Sequence, residues 1–340
     1  MNREWFNAMS SFFNYRHLGF IACLLMLFAN NAQAQKFCVF DVLGVQGPFY
    51  GTMLEYSTIA RKWGVTLELK PYTNEEKAVE DFNAGVCDLI STTGIRARDF
   101  NLFSSSIEAI GGINNDAQMK SVIETISRPE AAKLMMQDGY EVAGVLPIGG
   151  VYLFLNDRSI NSVDKIKGKK IAILAHDLVQ LRLAKRLGFQ ALAADIDDFA
   201  LKFNQGTADI LPAPAIAYMP LELFKGVGNK GLVLKMPISY LSLQVVLRSD
   251  KFPANYGQKS RTYFNSMFDS LLKPTRQAEQ EILYFFPAPD GEYDNYQALL
   301  RDARISMAQE GIYDTKMMSL LKKVRCKNQS NRAECTDGKE

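Results

Sequence analysis

The chain has 340 residues, a formal net charge of +2 and 47% hydrophobic residues. So small a net charge excludes the field expected of a protein that grips nucleic acid or an anionic membrane. The apolar content excludes a largely disordered chain, and the length suits two packed domains.

Residues 1–17 carry Arg3 and Arg16 against Glu4, an apolar run extends from Leu18 to Ala29, and Ala32-Gln33-Ala34 follows. This is the order of a secretory leader. The run has 12 residues, whereas a membrane-spanning helix needs about 20. The spacing therefore predicts export to the periplasm with cleavage after Ala34. A lipid anchor on Cys23 is disfavoured, because that cysteine sits inside the apolar run rather than at its end.

Cleavage leaves Cys38, Cys87, Cys326 and Cys335. An even number of cysteines in an oxidising compartment suggests disulfides. Of the three possible pairings we favour Cys38–Cys87, tying two strands of one sheet, and Cys326–Cys335, closing the tail. There is no CxxC and His176 is the one histidine left, so neither a metal site nor a cofactor is expected.

From Lys36 the pattern alternates. Strands are predicted at Lys36–Leu43, Val65–Leu69 and Val86–Ile90. Helices are predicted at Gly51–Trp63 and at Asn74–Asn83, the latter capped by Thr73 with Glu76 three residues on. This β-α-β-α-β order implies a parallel sheet with helices on its faces. Helices near Ala117–Ile126 and Pro129–Asp138 precede strands Tyr140–Leu146 and Val151–Leu155, which flank Gly149-Gly150. The pattern then restarts: a short helix at Ser162–Lys167, strand Lys170–Leu174, helix Leu178–Leu187 stopped by Gly188, strand Phe189–Leu192, helix Phe199–Gln205 and strand Ala208–Leu211. Strands Gly231–Met236 and Tyr240–Arg248 follow. Four helices complete the chain, around Pro253–Leu272, Pro274–Phe285, Asp294–Gln309 and Thr315–Val324.

Three segments carry a family likeness: Phe82–Ser91 (FNAGVCDLIS), Ser162–Leu174 (SVDKIKGKKIAIL), and Phe203–Leu211 (FNQGTADIL) with Ala213–Tyr218 after it. In this order they resemble the DctP-like periplasmic solute-binding proteins of TRAP transporters, over roughly residues 36–289. The resemblance implies a two-lobed α/β periplasmic binding protein of type II-like fold, with mixed, mainly parallel sheets and a C-terminal helical cover. Lobe I is expected at 35–150 and 249–340, and lobe II at 151–248. The resemblance also implies a monomer that closes on a small-molecule solute, commonly an organic acid, and delivers it to membrane permease subunits. One position departs from the pattern. Receptors of this class place an arginine where this chain has Ala172, and alanine cannot make a bidentate carboxylate clamp.

Ligands of open α/β sheets sit at the carboxyl ends of the strands. That rule nominates Thr92, Thr93, Arg96 and Arg98 after the third strand, His176 after Lys170–Leu174, and Pro212, Ala213 and Tyr218 near the end of the second repeat. Arg96 or Arg98 would replace the missing arginine, or else pair with a surface acid. The loop Gly44–Gly51 leads into a helix, whose free amides favour an anion, and offers Phe49 and Tyr50 for stacking; the alternative is an ordinary turn. Asp177 reads as the cap of the next helix rather than as a catalytic partner of His176. Tyr240 and Ser242 read as sheet packing beside a hinge. No GxSxG or HExxH motif occurs, so no enzyme is expected. A sensor or partner-binding module on the same fold is the rival to transport.

Overall fold

A computed structural model describes residues 34–327 and 333–339. The expected leader lies outside the described residues. The elements run β1 (Gln35–Phe40), α1 (Pro48–Lys62), β2 (Leu67–Tyr72), α2 (Glu75–Asn83), β3 (Leu89–Thr93), two single turns α3 (Gly94–Ala97) and α4 (Leu102–Ser105), and α5 (Asp116–Ile126). Then come the short β4 (Met136–Gln137) and the long β5 (Tyr140–Leu155). The second repeat is α6 (Val163–Ile166), β6 (Lys170–Leu174), α7 (Leu178–Leu187), β7 (Gln190–Ala194), α8 (Ile196–Asn204) and β8 (Ile210–Pro214). The chain continues through α9 (Phe224–Val227), β9 (Leu232–Arg248), α10 (Tyr256–Ser266), α11 (Phe268–Glu281), β10 (Phe285–Phe286), α12 (Glu292–Gln309), α13 (Thr315–Cys326) and α14 (Ala333–Thr336).

The strands form one mixed sheet in the order β2-β1-β3-β9-β5-β8-β6-β7, with β10 on β9 and β4 on β5. Each lobe contributes three parallel strands, β1–β3 in one and β6–β8 in the other. The antiparallel ribbon β5–β9 joins them, paired from Tyr140↔Arg248 to Leu155↔Leu232. The expected split at Gly149-Gly150 does not occur. The ladder shifts register at three places, between Val142 and Gly144, Pro147 and Gly149, and Val151 and Leu153. Such bulges bend and twist a strand and admit Pro and Gly without ending it. At the third shift Val151 pairs with Ser239 and Leu153 with Leu234. Residues 235–238 therefore swing out of this pairing, and the Ile238 carbonyl accepts from the Gly111 amide at 2.7 Å.

Alternation along the strands builds the core. In β1, Phe37 and Val39 face one cluster with Met53, Tyr56 and Phe264, while Cys38 faces another with Phe82 and Ile90. A third cluster, with Phe154, Phe199, Phe203 and Ala172, fills one face of the second lobe. The favoured disulfides are both present, Cys38–Cys87 and Cys326–Cys335. Cys87 lies in the turn leading into β3 rather than in a strand.

Three local expectations change. The cap of α2 is Asn74, whose side chain accepts from the Lys77 amide at 2.9 Å, not Thr73. The segment after Pro129 is a 3-10 helix ending at Met135, followed by a hairpin turning on Asp138-Gly139. Both residues have positive φ, the requirement of a two-residue hairpin turn. Near the C-terminus the helix break falls at Met267, and Pro274 lies inside α11. That helix docks on the ribbon, where Thr275 donates to the Ile148 carbonyl at 2.6 Å.

Among the described residues no helix is long and apolar enough to cross a membrane, and no group of three or more metal-ligating side chains converges.

Candidate functional site

The carboxyl ends of β1 and β3 in one lobe and of β6 and β8 in the other surround a cavity of about 370 Å³. This lies near the small end of ligand pockets, which span roughly 300–1,000 Å³. The first lobe contributes Asp41, Phe49, Thr93, Ile95 and Arg96, and the second contributes Leu174, His176, Pro212, Ala213 and Pro214. One side of the cavity, its apolar arm, is walled by Val151, Leu153 and Ile171 of the second-lobe sheet, Leu183 and Leu187 of α7, and Tyr296 of α12, whose hydroxyl finds no partner among the described residues.

Buried and half-buried acids line the polar end, and each is held by donors of the chain itself. Asp41 ends β1 and accepts from the amides of Leu43, Phe49 and Tyr50 at 2.8–3.1 Å. It therefore fills the anion site that the amides at the start of α1 would offer. Gly47 permits this approach, since a Cβ there would sit 1.8 Å from the Asp41 carboxylate. Glu75, buried at the start of α2, accepts from Thr92 Oγ1 and the Thr93 amide, both at 2.6 Å. Burial raises its pKa against these hydrogen bonds. Glu108 accepts from the amide and hydroxyl of Ser242, both at 2.7 Å, and burial pushes its carboxyl up to about 8. Its carboxyl is packed so closely on α3 that a Cβ on Gly94 would lie 2.0 Å from it. Asp177 caps α7, accepting from the Gln180 amide at 2.9 Å, and burial raises its pKa too.

Two cations and a histidine complete this end. The Arg96 side chain is largely buried, and its Nε finds no hydrogen-bond partner among the described residues. Its nearest acid is the exposed Glu76, at 4.0 Å. Arg98 turns to the helical cover instead, donating to the Ile312 carbonyl and lying 5.6 Å from the Tyr313 ring. His176 reaches across from the second lobe to within 4.0 Å of Glu75 Oε2, and its Nε2 is buried without a partner. Burial first, and then the nearby Arg96 charge, push its pKa down to about 4, so the ring is neutral at pH 7.

Of the sequence-nominated residues, Phe49, Thr93, Arg96, Arg98, His176, Pro212 and Ala213 line the cavity. Thr92 is fully buried behind it, donating to Glu75. Tyr50 packs on the first-lobe core, and Tyr218 stacks on Phe154 in the second-lobe core, ring centroids 6.1 Å apart. Asp177 is the expected cap, Tyr240 donates to Asp116 at 3.4 Å, and Ser242 holds Glu108. Ala172 is fully buried among apolar neighbours, so that position carries no polar group. The sequence reading missed Asp41, Glu75 and Glu108. Of these, Glu75 carried a signal, as an acid in the first turn of a helix leading to the cleft.

The chain matches the model of the family described as solute-binding protein AdeT 1/2 over residues 51–340. It is similar to the probable solute-binding protein AdeT1 of Acinetobacter baumannii, with 40% identity over 299 residues, covering 87% of this chain and 98% of that protein. It is also similar to the probable solute-binding protein AdeT2 of the same organism, with 26% identity over 232 residues, covering 68% and 98%. Among solved structures, a TRAP periplasmic solute-binding protein from Desulfovibrio salexigens with bound orotic acid superposes with a TM-score of 0.71 at 12% identity, covering 86% of this chain and 99% of that one. One from Xanthobacter autotrophicus Py2 with bound β-D-galacturonate gives 0.66 at 14%, covering 85% and 99%. At these identities the structures share the fold of this chain.

Proposed function

This chain belongs to the AdeT 1/2 family of solute-binding proteins, and on that premise we propose that it is a periplasmic receptor that takes up a small organic anion between its lobes and hands it to membrane permease subunits. The observation that carries the reading is Arg96. It is a largely buried guanidinium on the wall of the inter-lobe cavity with its Nε unpartnered, facing His176 of the other lobe. A cation so placed is poorly solvated, and its one ion-pair partner, the exposed Glu76 at 4.0 Å, leaves Nε for an anionic ligand. Orotic acid and galacturonate, bound by the two structural neighbours, are both acids, and the present cavity opens at the strand ends, where open α/β sheets take ligands. Closure brings residues 151–248 against residues 35–150 with 249–340, and it joins Arg96 and Thr93 to His176 around one ligand group.

The test is a thermal-shift screen of the purified protein against acids, amino acids, sugars and amines. A ligand at 100 times its dissociation constant stabilises the folded state by about 2.7 kcal/mol. We expect acids to raise Tm and Arg96→Ala to remove the response. A screen in which only uncharged or cationic solutes raise Tm refutes the reading.

A further inference from the structure

Resting on that reading, we infer that the ligand is an amphipathic monocarboxylate, with its carboxylate held by Arg96 and His176 and an uncharged apolar body, aromatic or branched aliphatic, filling the apolar arm.

The charges on the cavity wall decide the head group. Asp41, Glu75, Glu108 and Asp177 each accept hydrogen bonds from the chain's own amides or hydroxyls, and Asp99, the remaining acid of the lining, is exposed to water, so no buried acid is left to call for a ligand cation. Arg98 donates to the Ile312 carbonyl, lies over the Tyr313 ring and sets its charge against Glu108 and Asp177, and position 172 is a buried alanine. Arg96 is left with a donor unused. One available guanidinium fits one carboxylate. A second carboxylate on the ligand would have to compete with Glu108 and Asp177 for Arg98 and would face the other acids of the wall. Neutral His176, with Nε2 unpartnered, supplies a further contact at the same end from the opposite lobe.

The arm decides the rest of the molecule. Val151, Leu153 and Ile171 of the sheet and Leu183 and Leu187 of α7 present hydrocarbon to it. Tyr296 and Gln180 offer two unpartnered polar atoms on the cavity wall, so most of the several hydroxyls of a sugar acid would leave water without gaining a partner, and an unpaired buried hydroxyl is costly. A body of CH groups gains the same burial with nothing to satisfy. The cavity therefore favours a phenyl or branched alkyl acid over a polyhydroxylated acid of similar size.

Isothermal titration of the purified protein with four probes tests this. They are phenylacetate, glucuronate, succinate, and phenethylamine, which is a cation with a phenyl body. The expected result is binding of phenylacetate, with glucuronate and succinate at least about tenfold weaker and phenethylamine silent. Arg96→Ala should weaken phenylacetate on the order of a hundredfold. Arg96→Lys keeps the charge but not the planar fork and should weaken it about tenfold. Leu187→Gln, at a half-buried position of the arm, should weaken phenylacetate about tenfold. Circular dichroism confirms that each variant is folded, and Arg96→Lys stands in if the alanine variant is not. Glucuronate or succinate binding as tightly as phenylacetate, with Arg96 required, overturns the apolar class and leaves the anion receptor standing. Phenethylamine binding, or phenylacetate binding indifferent to both Arg96 variants, overturns both. No binding of any probe overturns the inference.

Discussion

Glu108 gives the protein a stability that falls as pH rises. Its carboxyl is pushed from the usual 4.5 to about 8, chiefly by burial, against the two bonds from Ser242. In the unfolded chain it ionises near the usual value, so between these two pH values unfolding releases a proton. A folded pKa above the unfolded one contributes stability that is complete below about pH 4.5 and is lost as pH climbs towards about 8. At about 1.36 kcal/mol per pH unit once ionisation in the unfolded state dominates, this one group removes about 2.5 kcal/mol of stability between pH 5 and pH 7. Glu75 and Asp177 are shifted in the same direction, so the wild-type curve sums several groups. Glu108→Gln separates one of them. The carboxamide oxygen still accepts from Ser242, and nothing ionises. The assay is urea denaturation of both proteins at intervals from pH 5 to pH 8. Relative to wild type, the variant should gain about 2.5 kcal/mol on going from pH 5 to pH 7 and level off above about pH 8. A difference between the two proteins that does not change with pH refutes the reasoning, because it would mean that Glu108 titrates alike in both states.

Other perturbations follow from the same contacts. Glu334 accepts from Arg304 and Arg325, all three buried. Glu334→Ala strips two buried guanidiniums of this carboxylate and should cost about 3 kcal/mol or more in urea denaturation; a loss below 1 kcal/mol, roughly the value of a surface pair, contradicts that. Gly149 has φ +120, and a Cβ there would lie 2.5 Å from Thr275 Cγ2. Gly149→Ala should therefore cost about 2–3 kcal/mol and lower Tm; an unchanged Tm shows that the ribbon can relax there. Replacing Cys38 and Cys87 together by alanine opens a loop with a sequence separation of 49 and should cost about 3–4 kcal/mol under non-reducing conditions. With reductant present the difference should shrink to about 1–2 kcal/mol, the cost of removing two buried sulfur atoms.

What the sequence disclosed was local. Lys170–Leu174 and Leu178–Leu187 carry their own periodicity, with Asp177 capping and Gly188 stopping the helix in a left-handed conformation, and both elements fall where expected. The ribbon was not legible. Gly149-Gly150 and the Pro237 segment look like breaks along the chain, and only pairing with the distant strand carries β5 and β9 through them. Asp138-Gly139 is a hairpin signal that a proline-started helical pattern concealed. In the site, strand ends and the loop after β3 were readable from the alternation of elements. The identity of the available cation was not. It depends on Arg98 finding the Ile312 carbonyl, 214 positions away, while Arg96 keeps its Nε free of bonds. Asp41 was hidden in the same way, because nothing in GVQGPFYG says that an acid before it will occupy the helix amides.

The continuous ribbon makes the joint between the lobes a torsion spring rather than a slack tether. Two strands of 16 and 17 residues pass from one lobe into the other, interrupted in their pairing where residues 235–238 swing out, so changing the angle between lobes means twisting a ladder whose rungs are hydrogen bonds. The compliant points are the three register shifts, where rungs are already missing. Part of the free energy of any ligand is stored in that twist, and the measured affinity is what remains. Stiffening or loosening these bulges, none of which requires a change at Arg96 or His176, would reset affinity from a distance while leaving the choice of ligand untouched.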